Sequence, residues 1–232
     1  MDFARFKVLT FDCYGTLVDW ESGLLGAIKP ILQKYGKSLP DEQLLEIYGE
    51  LESEEEAGEY RPYRHILEKI VRRLGRRLDF SPSAQEAASL PESIREWPPF
   101  PDTVEALRRL KTRYKLVILS NIDDDLFAHT AQRLEVRFDQ VITAQQCRSY
   151  KPSLNNFRTA IERIGLGSEA ILHCAESRRH DIAPARQLGI ANVWVNRHAT
   201  RPGPSASGKG TAVPDLEVPD LKTLADLAVP KA

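Results

Sequence analysis

Lys7-Val8-Leu9-Thr10-Phe11 is a continuous β-prone run, and Asp12-Cys13-Tyr14-Gly15-Thr16-Leu17 follows it directly. Uninterrupted apolar runs of this kind are typical of strands buried on both faces, because neither face contacts water. The run stops at Asp12, and Gly15 supplies a turn. The first strand is therefore expected inside a sheet, with an acidic side chain at its carboxyl end.

Four more apolar runs follow along the chain, with helical patterns between them. Strands that alternate with helices of this length predict an α/β fold, a Rossmann-like, doubly wound parallel sheet. The strand-like runs are 114–119, 140–143, 170–173 and 191–195, and the helical patterns are 103–113, 124–134, 155–164 and 181–188. Residues 201–213 are rich in Gly, Ser and Pro and predict a mobile surface loop.

Residues 19–95 interrupt this alternation with apolar positions at helical spacing. Several helices inserted directly after the first strand predict a cap domain over the site. The proline-rich segment 97–101 marks the return to the core, since proline ends helices. We therefore predict a core domain of residues 1–18 and 96–232 and a helical cap domain of residues 19–95. The acidic run 52–59 is interpreted as a solvated helix face or loop.

The composition excludes several classes of protein. The formal net charge of -1 provides no general basic field for nucleic acid or an anionic membrane. Three cysteines at wide spacing predict neither a zinc ribbon nor a disulfide framework and suit a reducing compartment. The first apolar run is too short for a signal peptide or a membrane span. A cytoplasmic protein with a small-molecule partner is expected.

Polar residues stand at the ends of the predicted strands, where a doubly wound sheet binds ligands. Asp12 ends the first run and Ser120-Asn121 ends the second, while Lys151-Pro152 follows the third and Glu176…Asp181 the fourth. In this order and spacing the motifs resemble those of the haloacid dehalogenase superfamily, over essentially the whole chain. The resemblance implies a Rossmann-like core with an α-helical cap, and a homodimer formed through that cap.

The motif around Asp12 is similar to that of the L-2-haloacid dehalogenase branch. It also resembles a branch that opens the ring of azetidine-2-carboxylate, through residues 11–17 and 176–181. The resemblance implies that Asp12 is a nucleophile, and a carboxylate can attack carbon or phosphorus to form an ester or acyl phosphate that water cleaves. The alternative is an aspartate that only caps the following turn.

Tyr14 bears on the choice of chemistry. Phosphatases of the superfamily carry a second aspartate at this position, which protonates the leaving alkoxide. Tyr14 has no carboxyl group for that step, whereas a departing halide needs no proton. The residue therefore argues against an efficient phosphomonoesterase, and its alternative role is packing between core and cap.

Short polar side chains and one cation are expected around Asp12. Thr16, Ser120 and Asn121 can hold the nucleophile or the substrate carboxylate by hydrogen bonds. Lys151 would place a positive charge beside Asp12, which lowers the pKa of a carboxyl group and keeps it ionised. The alternatives are a turn or helix cap for the serine and asparagine, and a surface position for the lysine.

Glu176 and Asp181 leave the need for a metal open. In metal-dependent relatives, acids at these positions hold Mg²⁺, which prefers oxygen ligands. In the dehalogenase-like branch no metal is expected, and the acids organise the loop or position water. Ser177 belongs to the same segment and is a candidate site residue. His180 is a candidate base, and His173 is predicted to be structural.

Trp20 and Trp97 are candidate walls of a small apolar pocket, with hinge packing as the alternative. L-2-haloacid dehalogenases receive the halide with a cap arginine, but the matching stretch 46–51 has none. Arg61 and Arg64 are nearby in the sequence. Phe157 stands where the family often has tyrosine. Both departures favour a leaving group other than chloride, including a ring nitrogen.

These residues together predict a cofactor-independent hydrolase of small 2-substituted carboxylic acids that forms an ester on Asp12 and releases a 2-hydroxy acid. Three alternatives stay open at this point. The first is ring opening of azetidine-2-carboxylate, the second is a Mg²⁺-dependent phosphatase, and the third is a non-catalytic binding protein.

Overall fold

Six parallel strands form one sheet in the computed structural model, which describes residues 1–199 and 210–230. Their order across the sheet is β3-β2-β1-β4-β5-β6, so the chain moves outward from β1 first to one side and then to the other. This order confirms the predicted doubly wound sheet. The strands are β1 Val8–Phe11, β2 Lys115–Ser120, β3 Gln140–Thr143, β4 Ile171–Ala175, β5 Ala191–Val195 and β6 Leu216–Val218.

The first strand lies at the centre of the sheet, and all four of its residues are buried. It pairs with β2 on one side and β4 on the other, with Phe11 opposite Ile118 and Cys174. The carboxyl ends of these three strands therefore meet at one edge. The sheet order reverses direction at β1, which is where doubly wound sheets bind ligands.

Helices cover both faces of the sheet. Two details differ from the sequence-based expectation. The pattern 181–188 is a π-helical turn, Arg178–Ile182, followed by a shorter helix, because Pro184 suits only a first helical turn. The second difference is the short strand β6, which the apolar runs did not predict. It follows the predicted loop 201–213, of which residues 201–209 lie outside the described residues. The core helices are α5 Thr103–Lys111, α6 Asp124–Leu134, α7 Ala144–Cys147, α8 Leu154–Ile164, α9 Ala183–Gln187 and α10 Leu221–Ala228.

Four helices lie between β1 and α5 and are called the helical insertion here. Their apolar residues recur at helical spacing and are buried against one another. The segments that lead into and out of the insertion run side by side, since Val18 and Pro99 form an antiparallel bridge and the Asp19 amide donates to the Pro98 carbonyl at 2.8 Å. The helices are α1 Trp20–Lys34, α2 Asp41–Glu56, α3 Tyr63–Arg77 and α4 Ala84–Ser93.

Contacts from the core hold the start of α3 over the carboxyl edge of the sheet. The buried Asp123 accepts hydrogen bonds from the backbone amides of Tyr63 and Arg64, each at 2.9 Å. Tyr150 donates its hydroxyl to the carbonyl of Arg61 at 2.7 Å. The helical insertion is thereby tied to the loops that follow β2 and β3.

The three cysteines are buried and form no disulfide, as their spacing predicts. Cys13 and Cys174 belong to the apolar core around β1. In the part of the chain that the structure describes, the helices are too short or too polar to cross a bilayer.

Candidate active site

A cavity lies between the carboxyl edge of the sheet and the helical insertion. The strand-end loops supply its floor, and helices α1 to α3 with the segment around Trp97 supply its roof. Its lining comprises Asp12, Tyr14, Trp20, Glu52, Glu56, Tyr63, Trp97, Ser120, Asn121, Lys151, Ser177, His180 and Asp181. Ten of the twelve candidate site residues named from the sequence therefore line one cavity, and Thr16 and Glu176 do not.

Asp12 is held at the floor of the cavity by one contact on each carboxylate oxygen. Lys151 Nζ lies 2.8 Å from Oδ1, and Thr16 donates its hydroxyl to Oδ2 at 2.8 Å. Burial raises the pKa of Asp12 above its usual value, and these two donors counteract that effect without reversing it. The expected lowering of the Asp12 pKa by Lys151 is thus outweighed, because the carboxyl group is almost fully removed from water.

Lys151 is 2% exposed and joins the two acids of the floor. Its Nζ contacts Asp12, Asp181 Oδ1 at 2.6 Å and the Leu119 carbonyl at 3.0 Å. Burial alone would lower the pKa of Lys151, but the two carboxylates outweigh it and raise the pKa. The ammonium therefore stays charged, and it is not the surface lysine that the alternative reading assumed.

Asp181 lies behind Lys151 and is fully buried. His173 contacts Asp181 Oδ1 at 3.0 Å through Nε2 and Thr10 Oγ1 at 2.9 Å through Nδ1. Burial alone would raise the pKa of Asp181, but Lys151 and His173 leave it lowered. The second oxygen, Oδ2, has no hydrogen-bond partner among the described residues. An anionic oxygen therefore remains buried next to the cavity without a hydrogen-bond donor among the described residues.

Ser120 and Asn121 extend the floor from the end of β2. The Asn121 side chain accepts from the Lys151 amide at 2.7 Å and donates to the Lys151 carbonyl at 3.1 Å, which orients the lysine loop. Ser120 is 2% exposed, and its hydroxyl has no partner within residues 1–199 and 210–230. Because buried hydroxyls are rarely left unpaired, this hydroxyl is a candidate donor to a water or ligand group at the cavity floor.

Aromatic side chains form the walls. The hydroxyl groups of Tyr14 and Thr130 form a hydrogen bond of 2.8 Å. The Tyr14 ring packs edge-on against Trp97, with 5.9 Å between the ring centroids. Trp20 packs on Tyr48 at 5.6 Å. Gly15 has a φ of +94°, and a Cβ atom there would lie 3.0 Å from Trp20 Nε1. A glycine is thus required at this turn both by its backbone and by the close approach of the indole.

The segment after β4 contributes less to the cavity than the resemblance implies. Glu176 does not line the cavity; its amide donates to Thr16 Oγ1 at 2.8 Å, and its carboxyl group lies near His198. Ser177 accepts from the His180 amide at 3.0 Å and so starts the π-helical turn. Burial lowers the pKa of His180 to about 4, so its imidazole is neutral at neutral pH.

The two arginines near α3 do not supply the missing halide-binding cation. Arg64 pairs with Glu92 and Asp125, and Arg61 is an exposed residue; neither lines the cavity. Phe157 packs edge-on against His173 beneath the sheet edge, with 5.3 Å between the ring centroids. Within the described lining, Lys151 is the one side chain with a fixed positive charge.

Glu52 and Glu56 enter the cavity from α2, which corrects the interpretation of run 52–59 as a solvated face for these two residues, whereas Glu54 and residues 57–59 are exposed as expected. Tyr48 donates to Glu52 Oε1 at 2.9 Å, and Tyr63 donates to the same oxygen. Asn121 Nδ2 lies 3.4 Å from both oxygens of Glu56. Burial raises the pKa of each acid, and the charge of Glu52 raises that of Glu56 further. Residues 48, 52 and 56 are four apart, so helical periodicity could have placed both acids on the face of Tyr48.

The donor set does not suit a bound Mg²⁺. Lys151 Nζ already occupies the position between the carboxylates of Asp12 and Asp181, and Glu176 lies outside the lining. Across residues 1–199 and 210–230, no three His, Cys, Asp or Glu side chains are grouped as metal ligands would be. Tyr14 brings no carboxylate to the site. We therefore derive no step through a metal ion.

Several proteins that are similar to this chain in sequence are dehalogenases of haloacids. A (S)-2-haloacid dehalogenase of Pseudomonas sp. (strain YL) is 29% identical over 235 residues, which cover 98% of this chain and 95% of that protein. Haloacetate dehalogenase H-2 of Moraxella sp. (strain B) is 25% identical over 229 residues, covering 96% and 98%. The similarity therefore extends over both the sheet and the helical insertion.

A solved structure supports the fold independently. The L-2-haloacid dehalogenase from Xanthobacter autotrophicus with chloropropionic acid covalently bound has a TM-score of 0.81 at 20% identity, covering 98% of this chain and 100% of that one. The family model for haloacid dehalogenase-like hydrolases matches residues 6–189, which is most of the chain. With the parallel sheet, the inserted helices and the strand-end residues in place, the chain belongs to the haloacid dehalogenase-like hydrolases.

Proposed function

We propose that this hydrolase acts on small 2-substituted carboxylic acids through a covalent ester on Asp12. The observation that carries the proposal is the setting of the Asp12 carboxylate, which lies in the cavity floor between Lys151 and Thr16 with no second acid two residues later. A carboxylate held this way can displace a group from carbon, and Tyr14 cannot protonate an alkoxide as a phosphatase acid would. We also propose that the helical insertion acts as a cap that excludes bulk water.

In the first step, an Asp12 oxygen attacks C2 of the substrate in line with the leaving group. The C2–oxygen bond forms as the bond to the leaving group breaks, so the configuration at C2 inverts. The unpaired hydroxyl of Ser120 donates to the substrate carboxylate. Lys151 holds Asp12 in its ionised form against the effect of burial.

In the second step, water attacks the carbonyl carbon of the Asp12 ester. The free Oδ2 of Asp181 orients that water, and the neutral imidazole of His180 accepts its proton. As the acyl–oxygen bond breaks, His180 returns that proton to the departing alkoxide, which leaves as a 2-hydroxy acid. The second proton of the water passes to solvent, and Asp12 is restored as a carboxylate.

The substrate class is tested by assaying product formation with a panel of compounds. We expect a 2-hydroxy acid from one enantiomer of 2-chloropropionate or from azetidine-2-carboxylate, and no dependence on EDTA. Asp12→Asn should lose the activity by several orders of magnitude, because the amide is a poor nucleophile. Phosphate release from p-nitrophenyl phosphate that requires Mg²⁺ and exceeds turnover of every 2-substituted acid would instead show a phosphatase.

A further inference from the structure

A chain of buried hydrogen bonds continues behind the cavity floor and ends on two residues that the proposed mechanism does not use. His173 on β4 contacts Asp181 Oδ1 through Nε2 at 3.0 Å and Thr10 Oγ1 through Nδ1 at 2.9 Å. Thr10 and His173 are both buried, and neither is among the described residues that line the cavity. His173 therefore contacts Asp181 from behind and does not reach a substrate.

The register of the sheet places these two side chains together. Thr10 on β1 is paired with His173 on β4, so both side chains project from the same face. Val8 and Ile171, two positions earlier on the same strands, belong to the apolar layer on that face, and Phe157 of this layer packs edge-on against the imidazole. Thr10 and His173 are thus a polar pair in an apolar layer, where a polar group is costly unless it is hydrogen-bonded.

The acceptors around His173 decide which ring nitrogen carries the proton. Against the effect of burial, Lys151 and His173 hold the pKa of Asp181 below its usual value, so this carboxylate is ionised and only accepts hydrogen bonds. The Nε2 atom of His173 therefore carries a proton and donates it to Oδ1. In the neutral ring the Thr10 hydroxyl donates to Nδ1, so that every polar atom of the pair has a complementary partner. Thr10 thereby keeps the proton on the nitrogen that faces Asp181.

Two donors meet on one oxygen of Asp181. Lys151 Nζ lies 2.6 Å from Oδ1, and His173 Nε2 lies 3.0 Å from the same atom. A carboxylate held by the lysine alone could turn about its Cβ–Cγ bond and exchange its oxygens, whereas two donors on Oδ1 fix the direction of Oδ2. That second oxygen has no hydrogen-bond partner among the described residues, and it is the atom that orients water in the proposed second step.

We propose that His173, held in one tautomer by Thr10, is a positioning residue for ester hydrolysis, because it fixes the Asp181 carboxylate so that Oδ2 orients the attacking water. This inference rests on the proposed function and deepens its second step. No bond forms to His173, and its proton stays on Nε2 throughout. The attack of Asp12 on C2 does not use Oδ2 of Asp181. Loss of the His173 donor should therefore slow hydrolysis of the ester far more than its formation.

The test compares His173→Gln with His173→Asn. Both variants lose the ring that packs against Phe157, but glutamine can extend an amide N–H as far as imidazole Nε2, and asparagine only as far as Nδ1. Each variant is mixed with 2-chloropropionate or azetidine-2-carboxylate, whichever the wild type turns over faster, and is quenched with acid at short times. The ester on Asp12 is followed by the mass of the intact protein, and the 2-hydroxy acid is measured in the same samples.

We expect ester hydrolysis to be about 10- to 100-fold slower in His173→Asn than in His173→Gln, the range for losing one hydrogen bond to a charged group. The ester should accumulate in His173→Asn, while the rate of its formation stays similar in the two variants. Equal rates of ester hydrolysis, or an equal slowing of both steps as a general structural defect would produce, would overturn the proposal.

Thr10→Val provides a second test that leaves the imidazole in place. It keeps the shape of the side chain but removes the hydroxyl that fixes the tautomer, so ester hydrolysis should slow in the same direction by a smaller factor. Unchanged hydrolysis in Thr10→Val contradicts the proposal even if neither His173 variant folds. An enzyme in which Asp12 never carries an ester contradicts the proposed function as well, whereas an ester that His173→Asn and His173→Gln hydrolyse equally overturns this inference alone.

Discussion

Thr16 contacts Asp12, the proposed nucleophile, without lining the cavity. Its hydroxyl accepts from the Glu176 amide at 2.8 Å, which directs its own proton to Asp12 Oδ2, also at 2.8 Å. The side chain is fully buried, so the position of this donor does not depend on solvent. Thr16 is therefore a positioning residue that favours the ionised form of Asp12.

Thr16→Val should shift the pH dependence of the reaction. Turnover needs ionised Asp12, so kcat/KM falls as the pH drops below the pKa of that group. Loss of the donated hydrogen bond raises this pKa further, and the fall should begin about one pH unit higher. We also expect kcat to decrease on the order of 10²-fold. Both effects are measured by determining kcat and kcat/KM between pH 4 and 9.

Thr16→Ser is the control, because it keeps the hydroxyl and should retain most of the activity and the original profile. Thr16→Val also removes the hydroxyl to which the Glu176 amide donates, which costs roughly 1–3 kcal/mol of stability. A purely structural role would lower stability without moving the pH profile. An unchanged profile in Thr16→Val would therefore contradict the positioning role.

The sequence predicted the floor of the cavity better than its roof. Asp12, Ser120 and Lys151 each follow an apolar run, so the sheet topology alone places them together. Glu52 and Glu56 belong to an acidic run, and charged side chains on a helix usually face water. Their burial depends on where α2 crosses the sheet edge, which is a property of tertiary packing and not of local pattern.

Asp123 connects the two parts of the molecule at the start of α3. That helix begins after Pro62, which cannot cap it with a side chain, and its first amides would otherwise lack acceptors. Asp123 supplies both acceptors from the loop after β2 and places a negative charge at the positive end of the helix. A helix cap is thus contributed by the core to the helical insertion.

Asp123→Ala should loosen this connection. We expect the free energy of unfolding in urea to decrease by about 1–2 kcal/mol, the usual effect of losing a helix cap. KM should rise, because Tyr63 follows directly from this cap and lines the cavity. The control is Asp125→Ala, whose exposed pair with Arg64 contributes less than about 1 kcal/mol. Equal stability losses in the two variants would contradict a specific capping role.

Secondary structure was predictable where the apolar pattern was clear. The helix α6 coincides with its predicted bounds, and β3 and β5 also agree residue by residue. The strand β6 is only three residues long and carries no clear alternation, so its pairing with β5 defines it. The π-helical turn before α9 likewise depends on the bond from the His180 amide to Ser177, which no periodicity reveals.

The molecule brings its reactive groups together from distant parts of the chain. Lys151 lies within hydrogen-bond distance of both Asp12 and Asp181, although Asp12 is about 140 residues before it and Asp181 about 30 residues after it in the chain. Arg197 adds another link, since its guanidinium donates to the Thr16 carbonyl at 2.8 Å and pairs with Asp102 at 2.7 Å. The sheet edge thus carries Asp12 and Asp181, and the helical insertion adds Trp20, Glu52, Glu56 and Tyr63 to the same cavity.

The covalent ester on Asp12 is the central claim, and isotope incorporation tests it directly. The enzyme turns over its substrate repeatedly in H₂¹⁸O, and the peptide that contains Asp12 is then fragmented by mass spectrometry. Because water attacks the ester at the Asp12 carbonyl carbon, we predict ¹⁸O in the Asp12 carboxylate, and none in enzyme incubated without substrate. Label found only in the 2-hydroxy acid, with Asp12 unlabelled, would show direct attack of water on the substrate and contradict the account.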